Sequence, residues 1–158
     1  MRVYLVRHGI AEDPRIDRPD FDRALTDAGV ERIRGQASAL RRAGMKLDRL
    51  LTSPLVRARQ TAELLGETLG VSLEEEMLLA AGCSLDDVQE VLGRIPDARH
   101  VMIVGHQPDL GEVVRQLTGG IVKMRKGTVA DVEIQGPGAR IGVLRGLYDP
   151  EVLAALGA

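Results

Sequence analysis

The sequence predicts an α/β fold: a three-layer α/β/α sandwich whose central sheet is mostly parallel, with a C-terminal antiparallel edge hairpin. Two short apolar runs, residues 3–6 and 101–104, stop at Arg-His-Gly and at Gly-His, respectively. Such runs are typical of buried parallel strands. Segments with helical periodicity follow the predicted strands, an alternation that indicates α/β architecture. The last segments instead flank Gly-Pro-Gly at residues 136–138, which favours a hairpin.

Composition is typical of one globular domain spanning residues 1–158, with 44% hydrophobic residues, 28% charged residues and a net charge of −2. No apolar stretch approaches the ~20 residues that cross a bilayer. The first predicted strand starts at Arg2 and Cys83 is the only cysteine, so neither a signal peptide nor an internal disulfide is expected. An aromatic content of 2% disfavours nucleic-acid binding. We therefore expect a cytoplasmic monomer with no membrane or nucleic-acid partner.

The first half of the chain contains a long loop between its strands and helices. Residues 10–25 are polar and too many for a tight connection, and long loops in compact domains are often functional. An amphipathic helix is predicted over residues 26–44, followed by a strand over residues 47–52. The Ser-Pro pair at the start of residues 53–70 is expected to provide the N-cap and the first-turn proline of the next helix. Arg57 then lies in the first turn of that helix.

The second half continues the alternation and ends in the hairpin. The segment after the last predicted helix, residues 119–126, contains paired glycines and is predicted to be mobile. The predicted elements are a weak strand at 77–79, a helix at 85–92, a strand ending at 106, a helix at 109–117, and hairpin strands at 128–134 and 140–144.

Three predicted strand ends bring four basic side chains to one edge of the sheet. Arg7 and His8 follow the first strand, Arg57 opens the helix after the second, and His106 closes a later one. Two guanidiniums and a protonated His106 can donate hydrogen bonds to the oxygens of a phosphoryl group. A neutral His8 can attack phosphorus in line and form a phosphohistidine that water hydrolyses. This chemistry requires no metal and no cofactor.

The same residues are also compatible with ordinary structural roles. Either histidine alone is compatible with a loop residue, and Arg57 with a solvated helix position beside Arg59 and Glu63. A metal site built on His8 and His106 is disfavoured, because no Asp, Glu or Cys accompanies them at ligand spacing and the arginines repel cations.

Four motifs resemble those of the histidine phosphatase superfamily, also called the phosphoglycerate mutase-like family. They occur in the family's order at residues 5–9 (LVRHG), 25–29 (LTDAG), 52–62 (TSPLVRARQTA) and 104–108 (VGHQP). The resemblance covers nearly the whole chain. It implies that His8 is the phosphorylated nucleophile and that Arg7, Arg57 and His106 complete the phosphate pocket.

The resemblance is to the small bacterial branch of this family that acts on a phosphohistidine of a signalling protein. Residues 10–13 (IAED) follow the Arg-His-Gly motif instead of the Glu or Gln, Trp and Asn of the mutases and sugar phosphatases, and tryptophan is absent. The short chain also leaves little material for the cap that those relatives carry. An uncapped site suits a phosphate borne by a protein.

A carboxylic acid that protonates the leaving group is not evident. Glu74, Glu75 and Glu76 precede the predicted third strand and Asp86 and Asp87 follow it, none at a convincing position. An imidazole leaving group needs little help from an acid, because its nitrogen can take a proton from solvent or His106. The glutamates are equally compatible with a solvated turn.

Other polar groups receive structural interpretations. The basic cluster of Lys123, Arg125 and Lys126 is either solvated surface or a lip that meets an anionic partner. His100 is expected at the end of its strand opposite the site, and Cys83 is expected to pack in the interior.

The leading hypothesis is a metal-independent phosphatase of protein-borne phosphohistidine that acts through phospho-His8. A phosphatase of small phosphomonoesters, such as sugar phosphates, is the alternative on the same fold. A noncatalytic phosphate-binding regulatory module is the alternative of another class. The expected partner is a phosphohistidine-bearing signalling protein or a small phosphorylated substrate.

Overall fold

The computed structural model describes all 158 residues and contains one six-stranded mixed sheet with the order β3-β2-β4-β1-β5-β6. The first four strands along the chain are parallel to one another, β5 is antiparallel to β1, and β6 is antiparallel to β5. The predicted fold class is therefore confirmed. The strands are β1 (Arg2–Arg7), β2 (Arg49–Thr52), β3 (Leu73–Glu75), β4 (His100–Gly105), β5 (Val129–Ile134) and β6 (Gly142–Tyr148).

Helices cover both faces of the sheet, and a separate hydrophobic cluster lies under each layer. Leu5 of β1 packs in the cluster with α3 and α4, whereas its neighbour Val6 packs in the cluster with α1, α2 and α5. Successive strand residues point to opposite faces, so one apolar strand fills both clusters. The helices are α1 (Asp27–Arg42), α2 (Val56–Leu69), α3 (Leu85–Gly93), α4 (Asp109–Thr118) and α5 (Pro150–Gly157). None of them combines the length and hydropathy needed to cross a bilayer.

The pairing of β1 with β4 positions the site. Arg7 is in register with Gly105 at the carboxyl ends of these two central strands. The next residue of each chain segment is a histidine, so His8 and His106 emerge side by side. This is the edge at which parallel sheets place ligand sites.

The predicted strand at residues 77–79 is wrong. Met77–Leu79 forms a single 3₁₀ turn, and the third strand lies earlier, at Leu73–Glu75. The apolar signal comes from Leu79, which is buried in the core, while Met77 is exposed. The short strand is at the sheet edge and carries exposed glutamates, a composition that protects edge strands from further pairing.

The predicted N-cap of α2 is also wrong, because the helix begins at Val56 and Leu55 takes the N-cap position. Ser53 and Pro54 precede the helix. The Ser53 hydroxyl accepts a hydrogen bond from the Leu55 amide and contacts His106 instead of capping the helix. Arg57 still lies in the first turn of α2.

The C-terminal hairpin is confirmed, but its second strand extends to Tyr148, beyond the predicted end at residue 144, and α5 follows. Helix α5 packs closely on α1, since a Cβ atom built at Gly157 would lie 1.6 Å from the Gly35 carbonyl oxygen. Residues 119–126 are irregular, as expected, and Met124 anchors them in the core. Their predicted mobility stays a prediction.

Candidate active site

His8 is a buried, neutral imidazole whose tautomer is defined by its two partners. Its Nδ1 lies 2.8 Å from the carbonyl oxygen of Gly9, which can only accept, so Nδ1 carries the proton. Its Nε2 lies 3.3 Å from Nε of Arg57, which can only donate, so Nε2 keeps its lone pair. Burial, reinforced by the charge of Arg57, lowers the pKa of His8 to about 3. An unprotonated Nε2 therefore faces the site at neutral pH.

Arg57 is held by a residue that the sequence did not indicate. Its Nη1 donates to the Asp20 carbonyl oxygen at 2.8 Å, and its Nη2 donates to the Asp20 carboxylate at 2.9 Å. The Asp20 carboxylate also lies 2.8 Å from Nε of Arg23. Because Arg57 is only 4% exposed, these contacts fix the plane of its guanidinium beside His8.

Arg7, the last residue of β1, provides the second guanidinium of the site. Its Nη1 donates to the carbonyl oxygen of Met124 at 2.9 Å, while its buried Nε has no hydrogen-bond partner. Burial lowers the pKa of the Arg7 guanidinium. Buried polar atoms in proteins nearly always have a hydrogen-bond partner. The unpaired Nε of Arg7 is therefore available to donate a hydrogen bond to a bound anion.

His106 lies against His8, with ring centroids 5.4 Å apart. Its Nε2 is 2.7 Å from the hydroxyl of Ser53, and its Nδ1 is buried without a partner. Burial, followed by the charge of Arg57, lowers the pKa of His106 to about 4. A phosphoryl dianion would offset both effects and favour the protonated form.

The structure brings Arg7, His8, Arg57 and His106 together around one cavity of about 340 Å³. Four cationic side chains and a single carboxylate line it, so the cavity suits an anion. Arg23 and Asp109 were not predicted from the sequence as site residues. The remaining lining residues are Arg23, Ala81, Gly82, Gln107, Pro108, Asp109 and Lys126.

The LTDAG motif holds the backbone that follows His8. The amide and hydroxyl of Thr26 both donate to the carbonyl oxygen of Ile10, at 2.9 and 3.4 Å. Gly29 lies against the same carbonyl, where a Cβ atom would come within 2.1 Å of the oxygen. The motif therefore docks the start of α1 onto the chain just beyond the Arg-His-Gly motif.

The end of the third motif, TSPLVRARQTA, joins α2 to the same strand end. The Thr61 hydroxyl accepts a hydrogen bond from the Gly9 amide at 3.0 Å and donates one to the Arg57 carbonyl oxygen at 2.7 Å. The side-chain oxygen of Gln60 accepts from the Leu25 amide at 2.7 Å. These bonds fix His8 and Arg57 relative to each other.

The candidate acids of the sequence analysis do not line the cavity. The three glutamates form ion pairs with arginines: Glu74 with Arg49, Glu75 with Arg59, and Glu76 with Arg94. Asp86 pairs with Arg140, and Asp87 completes the capping box of α3.

Of the other polar residues considered in the sequence analysis, Lys126 alone lines the cavity. His100 begins β4, at the end opposite the site, and its ring contacts Tyr4. Cys83 is buried, and burial raises the pKa of its thiol to about 12. Of the basic cluster, only Lys126 lines the cavity, whereas Arg125 pairs with Asp149 and Glu151.

Comparison with known proteins places this site in a family. The model of the histidine phosphatase superfamily (branch 1) matches residues 3–81. The phosphohistidine phosphatase SixA of Escherichia coli K12 is 30% identical over 125 residues, which cover 76% of each chain. The chain belongs to the histidine phosphatase superfamily. This membership supports a phosphatase activity.

Two further comparisons support membership of the histidine phosphatase superfamily. An uncharacterized protein of Picosynechococcus sp. is 42% identical over 124 residues, which cover 76% of this chain and 74% of that protein. A structure of the protein histidine phosphatase SixA complexed with tungstate superposes with a TM-score of 0.86 at 26% identity, covering 97% of this chain and 99% of that one.

Proposed function

We propose that the protein is a metal-independent phosphohistidine phosphatase that carries the phosphoryl group on Nε2 of His8. The observation that carries this proposal is the unprotonated Nε2 beside a guanidinium-lined cavity. A nucleophile without its proton needs no separate base for the first step.

In the first step, the phosphoryl oxygens bind the guanidiniums of Arg7 and Arg57. The lone pair of His8 Nε2 forms a bond to phosphorus, and the bond between phosphorus and the leaving nitrogen breaks in line with it. The electron pair of the broken bond stays on the leaving nitrogen. Nε of Arg57, which donates to Nε2 in the free site, then donates to a phosphoryl oxygen instead.

In the second step, water attacks phospho-His8 and the electron pair of the breaking bond returns to Nε2. The proton on Nδ1 stays hydrogen-bonded to the Gly9 carbonyl oxygen, so His8 leaves as a neutral imidazole. The attacking water transfers a proton to a phosphoryl oxygen, while protonated His106 donates a hydrogen bond to the phosphoryl group. Phosphate then leaves the cavity.

The substrate class rests on the relatives and on the leaving group. The SixA sequence and the SixA structure described above are those of a phosphohistidine phosphatase and a protein histidine phosphatase. No glutamate of the run at residues 74–76 reaches the cavity, and a nitrogen leaving group demands less acid catalysis than an alkoxide. A phosphohistidine in a protein is therefore the proposed substrate.

The test is to trap the intermediate. The enzyme is mixed with a phosphohistidine peptide, quenched in alkali within milliseconds and analysed by peptide mass spectrometry. We expect a phosphoryl adduct on His8 that is absent in His8→Ala, with turnover abolished in that variant. His100→Gln, at the opposite end of β4, is the matched control and should retain both adduct and turnover.

Two results would contradict the proposal. An adduct on another residue, or full turnover in His8→Ala, would exclude the His8 intermediate. Faster turnover of a sugar phosphate than of the phosphohistidine peptide, compared by kcat/KM, would instead favour the small-phosphomonoester alternative.

A further inference from the structure

Asp109 is the single carboxylate in the wall of the cavity, where every other charged side chain is an arginine or a lysine. It is the first residue of α4, three positions after His106. Its Oδ2 accepts a hydrogen bond from the Gly82 amide at 2.8 Å, while Oδ1 has no hydrogen-bond or ion-pair partner in the protein. One oxygen of this carboxylate is therefore free to accept a hydrogen bond from a bound molecule.

A carboxylate in an anion site needs a physical reason. At the distances within a cavity of this size, a negative charge repels a phosphoryl dianion and weakens its binding. The carboxylate contributes favourably to substrate binding if it faces a part of the substrate that carries positive charge or an N–H group. Sugar phosphates offer neither a cation nor an N–H group at the leaving atom.

A phosphohistidine supplies such a group. When its second ring nitrogen carries a proton, the phosphorylated imidazole is cationic and has an N–H to donate. As the bond between phosphorus and nitrogen breaks, the electron pair stays on the released nitrogen and the ring departs as neutral imidazole. The N–H on the other nitrogen remains in place throughout, so no proton has to be transferred during the step.

We propose that the free oxygen of Asp109 accepts a hydrogen bond from the N–H of the leaving group and makes the site selective for P–N over P–O bonds. This proposal rests on the proposed function. Asp109 acts on the substrate's imidazole as the Gly9 carbonyl acts on His8, because each acceptor stabilises the protonated nitrogen opposite the phosphoryl group.

The other nearby acid cannot take this role. The carboxylate of Asp20 is bound to Arg57 and lies against Arg23, and these guanidiniums lower its pKa in spite of the desolvation that opposes them. It stabilises the phosphate clamp and does not line the cavity. Asp109 has no cationic partner, so its charge is available to the substrate.

The experiment compares Asp109→Asn with wild type on two substrates, a phosphohistidine peptide and p-nitrophenyl phosphate. Asparagine keeps an oxygen that can accept from the Gly82 amide, so the variant removes the charge while preserving that contact. We expect the ratio of kcat/KM for the peptide to kcat/KM for the ester to fall by about tenfold or more. The ester should turn over faster than in wild type, because the repulsion of its phosphate is lost.

The matched control is Asp86→Asn, which removes an exposed carboxylate that pairs with Arg140 outside the cavity. This control should leave the ratio unchanged. If Asp109→Asn lowered kcat/KM equally for the peptide and for p-nitrophenyl phosphate, the proposal would be overturned and Asp109 would have a structural role. A selective loss on the alkyl ester glycerol phosphate would also overturn it, in favour of a general acid for P–O bonds.

The proposed function fails in a different way. If wild type does not hydrolyse the peptide but does hydrolyse the esters, both the proposed function and the role of Asp109 are excluded. If wild type prefers the peptide and Asp109→Asn keeps that preference, only the role of Asp109 is excluded.

Discussion

His8 and His106 are two buried imidazoles that the fold keeps neutral for the same reason. Each is less than a tenth exposed and lies near the charge of Arg57, so protonation would place a second positive charge in a poorly solvated region. In the proposed mechanism, neutral His8 is the nucleophile, and a bound phosphoryl dianion converts His106 into a hydrogen-bond donor. The two arginines supply charge that does not depend on pH in the working range.

This arrangement predicts a loss of stability in mild acid. The pKa values of His8 and His106 are about 3 and about 4 in the folded protein, below the ordinary value of about 6.5 in an unfolded chain. Between these values the unfolded state binds more protons, so the free energy of unfolding falls as pH decreases from about 6.5 towards 4. Each histidine contributes at most about 1.4 kcal/mol per pH unit in that window.

Urea unfolding of wild type and His106→Gln, measured from pH 7.5 to 4.5, tests this prediction. The slope of the unfolding free energy against pH should be smaller in the variant, because one of the two depressed histidines is missing. Towards pH 7.5 the contribution becomes nearly constant, so the two slopes should converge at that end of the range. Identical slopes below pH 6, or a His106 that titrates near 6.5 by NMR, would contradict the assignment.

At the scale of elements, the start of α1 is the part of the fold that most directly supports the site. It packs on the Ile10 carbonyl through Thr26 and Gly29, and that carbonyl follows the Arg-His-Gly motif by one residue. The loop that follows Ile10 contains Asp20, which accepts two hydrogen bonds from Arg57. A displacement of α1 would therefore move both His8, the proposed nucleophile, and Arg57, which is proposed to bind phosphate.

Gly29→Ala tests this connection. The new Cβ atom would lie 2.1 Å from the Ile10 oxygen, so either helix or loop must move, at a cost of about 2 kcal/mol. We expect a lower free energy of unfolding together with a reduced kcat, measured by urea titration and by steady-state kinetics.

Gly93→Ala is the matched control. Gly93 ends α3, and a Cβ atom there meets nothing within 4 Å. Alanine favours helix over glycine by up to about 1 kcal/mol, so this variant should be as stable as wild type or slightly more stable. If Gly29→Ala behaved in the same way, the close packing of α1 on the loop would have no energetic role.

At the scale of the whole molecule, segments far apart in the chain contribute to one cationic cavity. The order β2-β4-β1 at the sheet centre brings the ends of these strands together, and residues 119–128 add Lys126 and the Met124 carbonyl. The buried Nε of Arg7 has no hydrogen-bond partner in the protein and can donate to a bound oxyanion. Positive charge from arginines takes the place that a metal ion would hold, and it repels such an ion.

Oxyanion binding should therefore stabilise the fold without a metal. We expect tungstate or phosphate to raise Tm in thermal denaturation, corresponding to about 2.7 kcal/mol at a concentration of 100 times Kd, and EDTA to leave both this shift and the turnover unchanged. Arg57→Ala should lose most of the shift, whereas Arg59→Ala, an exposed neighbour on α2 that pairs with Glu63 and Glu75, should keep it. Activity that EDTA removes and a divalent ion restores would contradict the metal-independent mechanism.

The fold class and the membership of the phosphatase family were predictable from local patterns. Apolar runs that stop at Arg-His-Gly or Gly-His predict parallel strands, and the carboxyl ends of such strands meet at one edge of the sheet. This topology predicts the grouping of Arg7, His8, Arg57 and His106. The weaker elements were not predictable to the same degree. Strand β3 has only three residues and two of them are exposed, so its apolar signal is smaller than that of the following turn, whose Leu79 is buried.

Contacts between distant segments were decided only by the tertiary structure. Asp20 lies 37 residues from Arg57, and Ser53 lies 53 residues from His106. Gly82, the backbone partner of Asp109, is 27 residues from it in the sequence. Periodicity records which side of a helix or strand is apolar, but it contains no information about which polar side chain of another segment will face it. The burial that makes His8 and His106 neutral likewise exists only once both helix layers close over the sheet.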